Sequence, residues 1–81
     1  MKRTRLKRKV RIIRKARLFV DAYWDTEYDP PVWKVRYVQR NPDNSLEVLD
    51  VDLAESKNDA VSRAKKWSKK EGVPFEGVVY G

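Results

Sequence analysis

Between Ser56 and Pro74 the chain spells out one helix with both ends marked. Ser56 is a good N-cap, because its hydroxyl can accept from an amide of the first turn. Asp59 then sets a carboxylate near the positive end of the helix dipole. The usual capping-box partner is Glu or Gln, so the Ser-x-x-Asp match is partial. Ala60, Ala64, Trp67 and Ser68 recur at i, i+4, i+7 and i+8, with Val61 beside them, and form an inward stripe. Arg63, Lys65, Lys66, Lys69 and Lys70 fall on the opposite side. Gly72 suits the left-handed residue that follows a helix, Val73 can fold back toward Trp67, and Pro74 prevents continuation. A helix with one narrow apolar stripe has to bury it against something, and that constrains the rest of the chain.

The rest of the chain supplies strands. Over 18–24, Leu18, Val20, Ala22 and Trp24 alternate with Phe19, Asp21 and Tyr23, a period of two. Asp25 to Pro31 holds two prolines and reads as a loop. A second strand covers 32–40, with Trp33, Val35 and Tyr37 on one face and Lys34, Arg36, Val38 and Arg40 on the other. Asn41-Pro42-Asp43-Asn44-Ser45 is a turn, since Pro42 fixes φ and Asn and Asp tolerate the left-handed region. A third strand over 46–53 is expected to turn Leu49, Val51 and Leu53 to one side and Val48, Asp50 and Asp52 to the other. A last short strand, about 76–80, offers Val78 and Tyr80 to one face and Val79 to the other.

The resulting order, β-β-β-α-β, predicts an α+β two-layer sandwich: an antiparallel sheet with one helix packed on one face, preceded by a basic N-terminal arm. The expected core is Trp24, Trp33, Val35, Tyr37, Leu49, Val51, Leu53, Val61, Ala64 and Trp67. Either sheet edge is open to the final strand. With 81 residues the chain has room for one modest core. We read it as an arm, 1–17, and a single compact domain, 18–81.

The arm is the strongest functional signal. Lys2, Arg3, Arg5, Lys7, Arg8, Lys9, Arg11, Arg14, Lys15 and Arg17 give it ten cations and no acid. The remaining residues carry nine cations against twelve acids, a net of −3, so the +7 of the whole chain is concentrated in the arm. Such asymmetry points to a polyanion: closely spaced Arg and Lys neutralise phosphates and release condensed counterions. An arm docked on an acidic protein surface and an inert solubilising tail are the competing readings. A membrane surface is disfavoured, because no aromatic anchor precedes Phe19. Leu6, Val10, Ile13 and Arg17 follow helical spacing, whereas Val10 and Ile12 also fit a strand, so its conformation is open. Mutual repulsion of the cations predicts disorder over 1–9 without a partner.

Arg63, Lys66 and Lys70 share one helix ridge and are candidates for a second phosphate contact, against the common alternative of a solvated face. Lys34, Arg36 and Arg40, beside Phe19 and Tyr23, suggest a base-stacking sheet face. Asp21, Asp50 and Asp52 are expected on that same face, which favours cross-strand neutralisation instead. The acids also raise a metal-dependent nuclease, with Asp50 and Asp52 joined by Asp21 or Asp25 around Mg²⁺. With no His to act as base and no Gly-rich phosphate loop, a non-enzymatic protein without metal or cofactor is expected.

The element order resembles small DNA-binding modules built from a three-stranded sheet and a helix, such as integrase arm-binding domains. A basic arm on a compact body is similar to ribosomal and small phage-encoded proteins. The resemblance rests on the arrangement alone and assigns no residue a role. Absence of cysteine, of a signal-peptide core and of a membrane-length apolar run leads to an expected cytoplasmic or virion location. The reading is a nucleic-acid-binding accessory protein, DNA or RNA, of the kind phages encode. The alternative is a protein-interaction module that regulates a partner such as a polymerase. Oligomeric state is open.

Overall fold

The computed structural model describes residues 16–81. The expectations for residues 1–15, disorder over 1–9 and a helix or strand beyond, lie outside the described residues. The elements run β1 (Arg17–Asp25), β2 (Val32–Arg40), β3 (Leu46–Ala54), α1 (Lys57–Glu71) and β4 (Phe75–Tyr80). They form a four-stranded sheet in the order β3-β2-β1-β4, with α1 across one face. This is the two-layer α+β arrangement that the element order implies. Arg17, counted with the arm in sequence, is the first residue of β1 and is exposed.

The sheet is mixed rather than wholly antiparallel. β1, β2 and β3 are joined by short connections and pair antiparallel, but β4 pairs with β1 in parallel. Helix α1 carries the chain back along the sheet, so β4 runs in the direction of β3 and therefore of β1. β1 becomes a central strand, buried continuously from Phe19 to Ala22.

The core follows from that placement. Val20, Ala22, Val35, Ala60 and Ala64 are fully buried, and Trp33, Tyr37, Val61, Trp67, Val73, Phe75 and Val78 pack around them. The small residues Ala60 and Ala64 let the helix axis approach the sheet. Trp24 is half-buried and tilts against Trp33 at 4.9 Å. The helix ends match the sequence: the Ser56 hydroxyl accepts from the Asp59 amide at 3.0 Å. Gly72 sits at φ 71°, and its amide donates to the Ser68 carbonyl.

β3 overturns part of the expected core. Tyr37 is paired with Asp50 and its neighbour Val38 with Val48, so Leu49 is an extra residue in the ladder. The bulge flips the side-chain alternation. Asp50 and Asp52 stand opposite Tyr37 and Val35, on the face that carries the helix. Val51 and Leu53 stand opposite Arg36 and Lys34, on the other face, and are 40% and 57% exposed. Leu49 is only half-buried. The apolar residues that do fill the remaining space are Phe19 and Val38, both buried on the face away from the helix.

Candidate nucleic-acid interface

The two faces treat their cations differently. On the face away from α1, each cation of β2 has a carboxylate. The Arg36 Nε and Nη2 donate to both oxygens of Asp21, at 2.9 and 2.7 Å. Lys34 Nζ lies 2.8 Å from Asp25, and Arg40 lies 3.3 Å from Glu76. The guanidinium of Arg36 also lies 3.9 Å over the Tyr23 ring and that of Arg40 4.6 Å over Phe19. The guanidinium groups already occupy one face of each ring. The cross-strand neutralisation expected for this face is therefore present for Lys34 and Arg36, with Asp21 and Asp25 as partners. Asp50 and Asp52, expected to share in it, are on the opposite face because of the bulge.

Burial works against the Arg36 charge, yet the Asp21 hydrogen bonds and charge hold its pKa above the ordinary value. Asp25 is held below the usual carboxylate value, first by the Lys34 hydrogen bond and then by the Glu27 amide. Asp21 and Asp25 are separated by the sheet from Asp50 and Asp52, so the four carboxylates weighed for Mg²⁺ do not converge. Among the described residues no three potential ligands gather at a metal site.

On the helix face, α1 lies chiefly over β1 and β2 and leaves a groove toward β3. Its volume is about 470 Å³, and it is lined by Asp50, Val51 and Asp52 of β3 and by Arg63, Lys66, Trp67 and Lys70 of α1. The three candidate cations come together there, since i, i+3 and i+7 share one side of a helix. Trp67 is half-buried and stacks on Tyr37, with ring centroids 5.6 Å apart and planes 30° from parallel. Burial, followed by the charge of Glu71, raises the Tyr37 pKa, so the phenol stays neutral.

Arg63 is the least available of the three. Its Nε donates to both oxygens of Asp59, at 3.1 and 3.0 Å, and its Nη1 to Asp52 at 3.2 Å. These bonds, Asp59 first, raise its pKa, while the Glu55 amide and then Arg63 lower that of Asp59. Among the described residues no carboxylate lies within ion-pair distance of Lys66 or Lys70. Asp50 has no cation partner there either; its Oδ1 accepts from the Val51 amide at 2.9 Å. The groove thus has lysines on one bank, carboxylates on the other and an indole between them.

Of the arm cations, Arg17 alone is described. It lines a shallow pocket of about 260 Å³ with Arg40, Asn41, Pro42 and Asn44, at the end of the sheet where the arm joins. Lys2, Arg3, Arg5, Lys7, Arg8, Lys9, Arg11, Arg14 and Lys15 lie outside the described residues. Sequence reasoning missed the part of Asp50 and Trp67 in the groove. A signal existed: the apolar residues of β3 are even-numbered at Leu46 and Val48, then odd-numbered at Leu49, Val51 and Leu53. Such a change of parity marks a bulge. Comparison with known proteins finds no family model, no curated protein and no solved structure that matches this chain.

Proposed function

We propose that the protein is a non-enzymatic nucleic-acid-binding accessory protein, of the kind phages encode, acting in the cytoplasm or within a virion. The arm cations contact phosphates, and Lys66 and Lys70 add a second contact from the body. The supporting observation is how the cations are partitioned. Those of β2 are each matched by a carboxylate, whereas the arm contains no acid and Lys66 and Lys70 meet none among the described residues. Arg63 contributes less, because Asp59 and Asp52 engage its Nε and Nη1. Among the described residues no helix is long and apolar enough to cross a membrane.

Fluorescence anisotropy of labelled DNA and RNA tests this reading. With about six to ten phosphate contacts, affinity falls roughly 10³- to 10⁵-fold between 50 and 200 mM salt. No binding to either polymer near physiological salt overturns it.

A second reading, a protein-interaction module for a partner such as a polymerase, is favoured by one observation. Leu46, Val48, Val51 and Leu53 are all 40–57% exposed on one face of the edge strand β3. Contiguous apolar surface of this sort is what partners cover. A partner retained after nuclease digestion and released by Leu53→Lys supports that reading over the first.

A further inference from the structure

A helix laid on a sheet normally meets apolar side chains, so two aspartates on the helix-facing side of β3 are misplaced by the rules of packing. They do not serve the core, and only Asp52 is engaged by a helix cation. Polar residues in core-type positions are expected where a site needs them.

We propose that the groove between β3 and α1 receives a single unstacked base bearing an exocyclic amine (cytosine, adenine or guanine, as against thymine or uracil) from single-stranded nucleic acid. This rests on the nucleic-acid reading above and adds base preference to it. The groove volume of about 470 Å³ lies within the span of small-ligand sites, roughly 300–1,000 Å³. Trp67 supplies the stacking surface: one side of the indole is supported by Tyr37, which fixes its plane. Asp50 supplies the base readout. Its Oδ1 is engaged by the Val51 amide, which orients the carboxylate and leaves Oδ2 to accept. A carboxylate accepts from the cytosine N4 or adenine N6 amine, or from guanine N1–H and N2 amine together. Thymine and uracil present carbonyl oxygens on either side of one N–H, and those oxygens are repelled. Lys66 and Lys70, one turn apart on the opposite bank, lie where the flanking phosphates of such a base would run.

The sheet's other face is a poorer candidate for this role. There every carboxylate of the β2 ion pairs is engaged by a cation, so none is left to read a base, and Tyr23 and Phe19 each have a guanidinium over one face.

The test uses the full chain and two labelled twelve-nucleotide oligomers, all-dC and all-dT, whose backbones carry equal charge. At fixed salt the protein binds dC about tenfold more tightly than dT, within the discrimination of one carboxylate–amine contact. In Asp50→Ala the ratio collapses to about one. Asp50 is exposed, so this variant should keep its fold, which thermal unfolding checks. Trp67→Leu weakens binding of both oligomers. Equal affinity of the intact protein for dC and dT overturns the base pocket while the phosphate-binding function stands. A dC preference that survives Asp50→Ala overturns it as well, by placing the readout elsewhere. Failure to bind either oligomer, duplex DNA or RNA overturns both proposals.

Discussion

The Arg36 guanidinium grips both oxygens of the Asp21 carboxylate, at 2.9 and 2.7 Å, between neighbouring strands in the middle of the sheet. Asp21 is 1% exposed, so its charge has no recourse to water. Removing one partner of a buried pair leaves the other uncompensated, which costs about 3–5 kcal/mol. Arg36 keeps 13% of its side chain exposed, which places the cost near the lower end. Asp21→Ala should therefore lower the free energy of unfolding in urea by about 3 kcal/mol. The double variant Asp21→Leu with Arg36→Met should recover much of that stability.

Trp67 joins the core to the groove. It packs against the buried cluster through Tyr37 and presents its remaining surface beside Lys66 and Lys70. Because the indole is only half-buried, Trp67→Ala should cost about 3 kcal/mol, the low end for a large aromatic. A melting temperature equal to that of the unaltered protein would show that the α1 face is misassigned.

Acid should loosen the sheet through Asp25. Its folded pKa lies below the ordinary 3.8, chiefly because of the Lys34 hydrogen bond. A depressed carboxylate pKa contributes stability that is present above the unfolded value and disappears as pH falls through the folded one. The melting temperature should thus decline from about pH 4 downward, and less steeply in Asp25→Asn than in the unaltered protein. Equal slopes would mean that the Lys34–Asp25 pair does not persist in solution.

The spacing of apolar residues in β3 points Val51 and Leu53 at the core, yet both face outward. Leu53→Lys should change stability by no more than about 0.5 kcal/mol, as exposed substitutions do. A destabilisation of several kcal/mol would put Leu53 in the core and remove the bulge at Leu49.

Much of the fold is legible in the sequence because local signals and packing agree. Ser56, Gly72 and Pro74 bound α1 by local chemistry: a capping hydroxyl, a left-handed glycine and a proline that ends the helix. The alternation in β1 and β2 assigns their faces correctly, with Val20, Ala22 and Val35 inward. The parallel pairing of β4, where an antiparallel sheet is expected from the element order, follows from connectivity, since a strand after one crossing helix runs parallel to both available edges. The register of β3 is carried in the sequence only by the shift of its apolar residues from even to odd positions at Leu49. One extra residue at Leu49 inverts every later side chain, and no single local propensity announces it. The candidate site divides the same way. Helical spacing gathers Arg63, Lys66 and Lys70, but Asp50 and Asp52 reach the groove only through the bulge. Asp59 reaches Arg63 by helical i,i+4 spacing, whereas the claim of Asp52 on Arg63 depends on that tertiary placement.

Deleting residues 1–9 tests the central claim most directly. The truncation removes Lys2, Arg3, Arg5, Lys7, Arg8 and Lys9 and no residue of the described core. Thermal unfolding should be nearly unchanged. The slope of log affinity against log salt on duplex DNA should become shallower by roughly 0.9 for each phosphate that the shortened arm leaves unneutralised. The residual slope should be carried by Arg11, Arg14, Lys15, Arg17, Lys66 and Lys70. The account predicts weaker, less salt-sensitive binding by a body that stays folded. Equal affinity with an equal slope before and after truncation would contradict it.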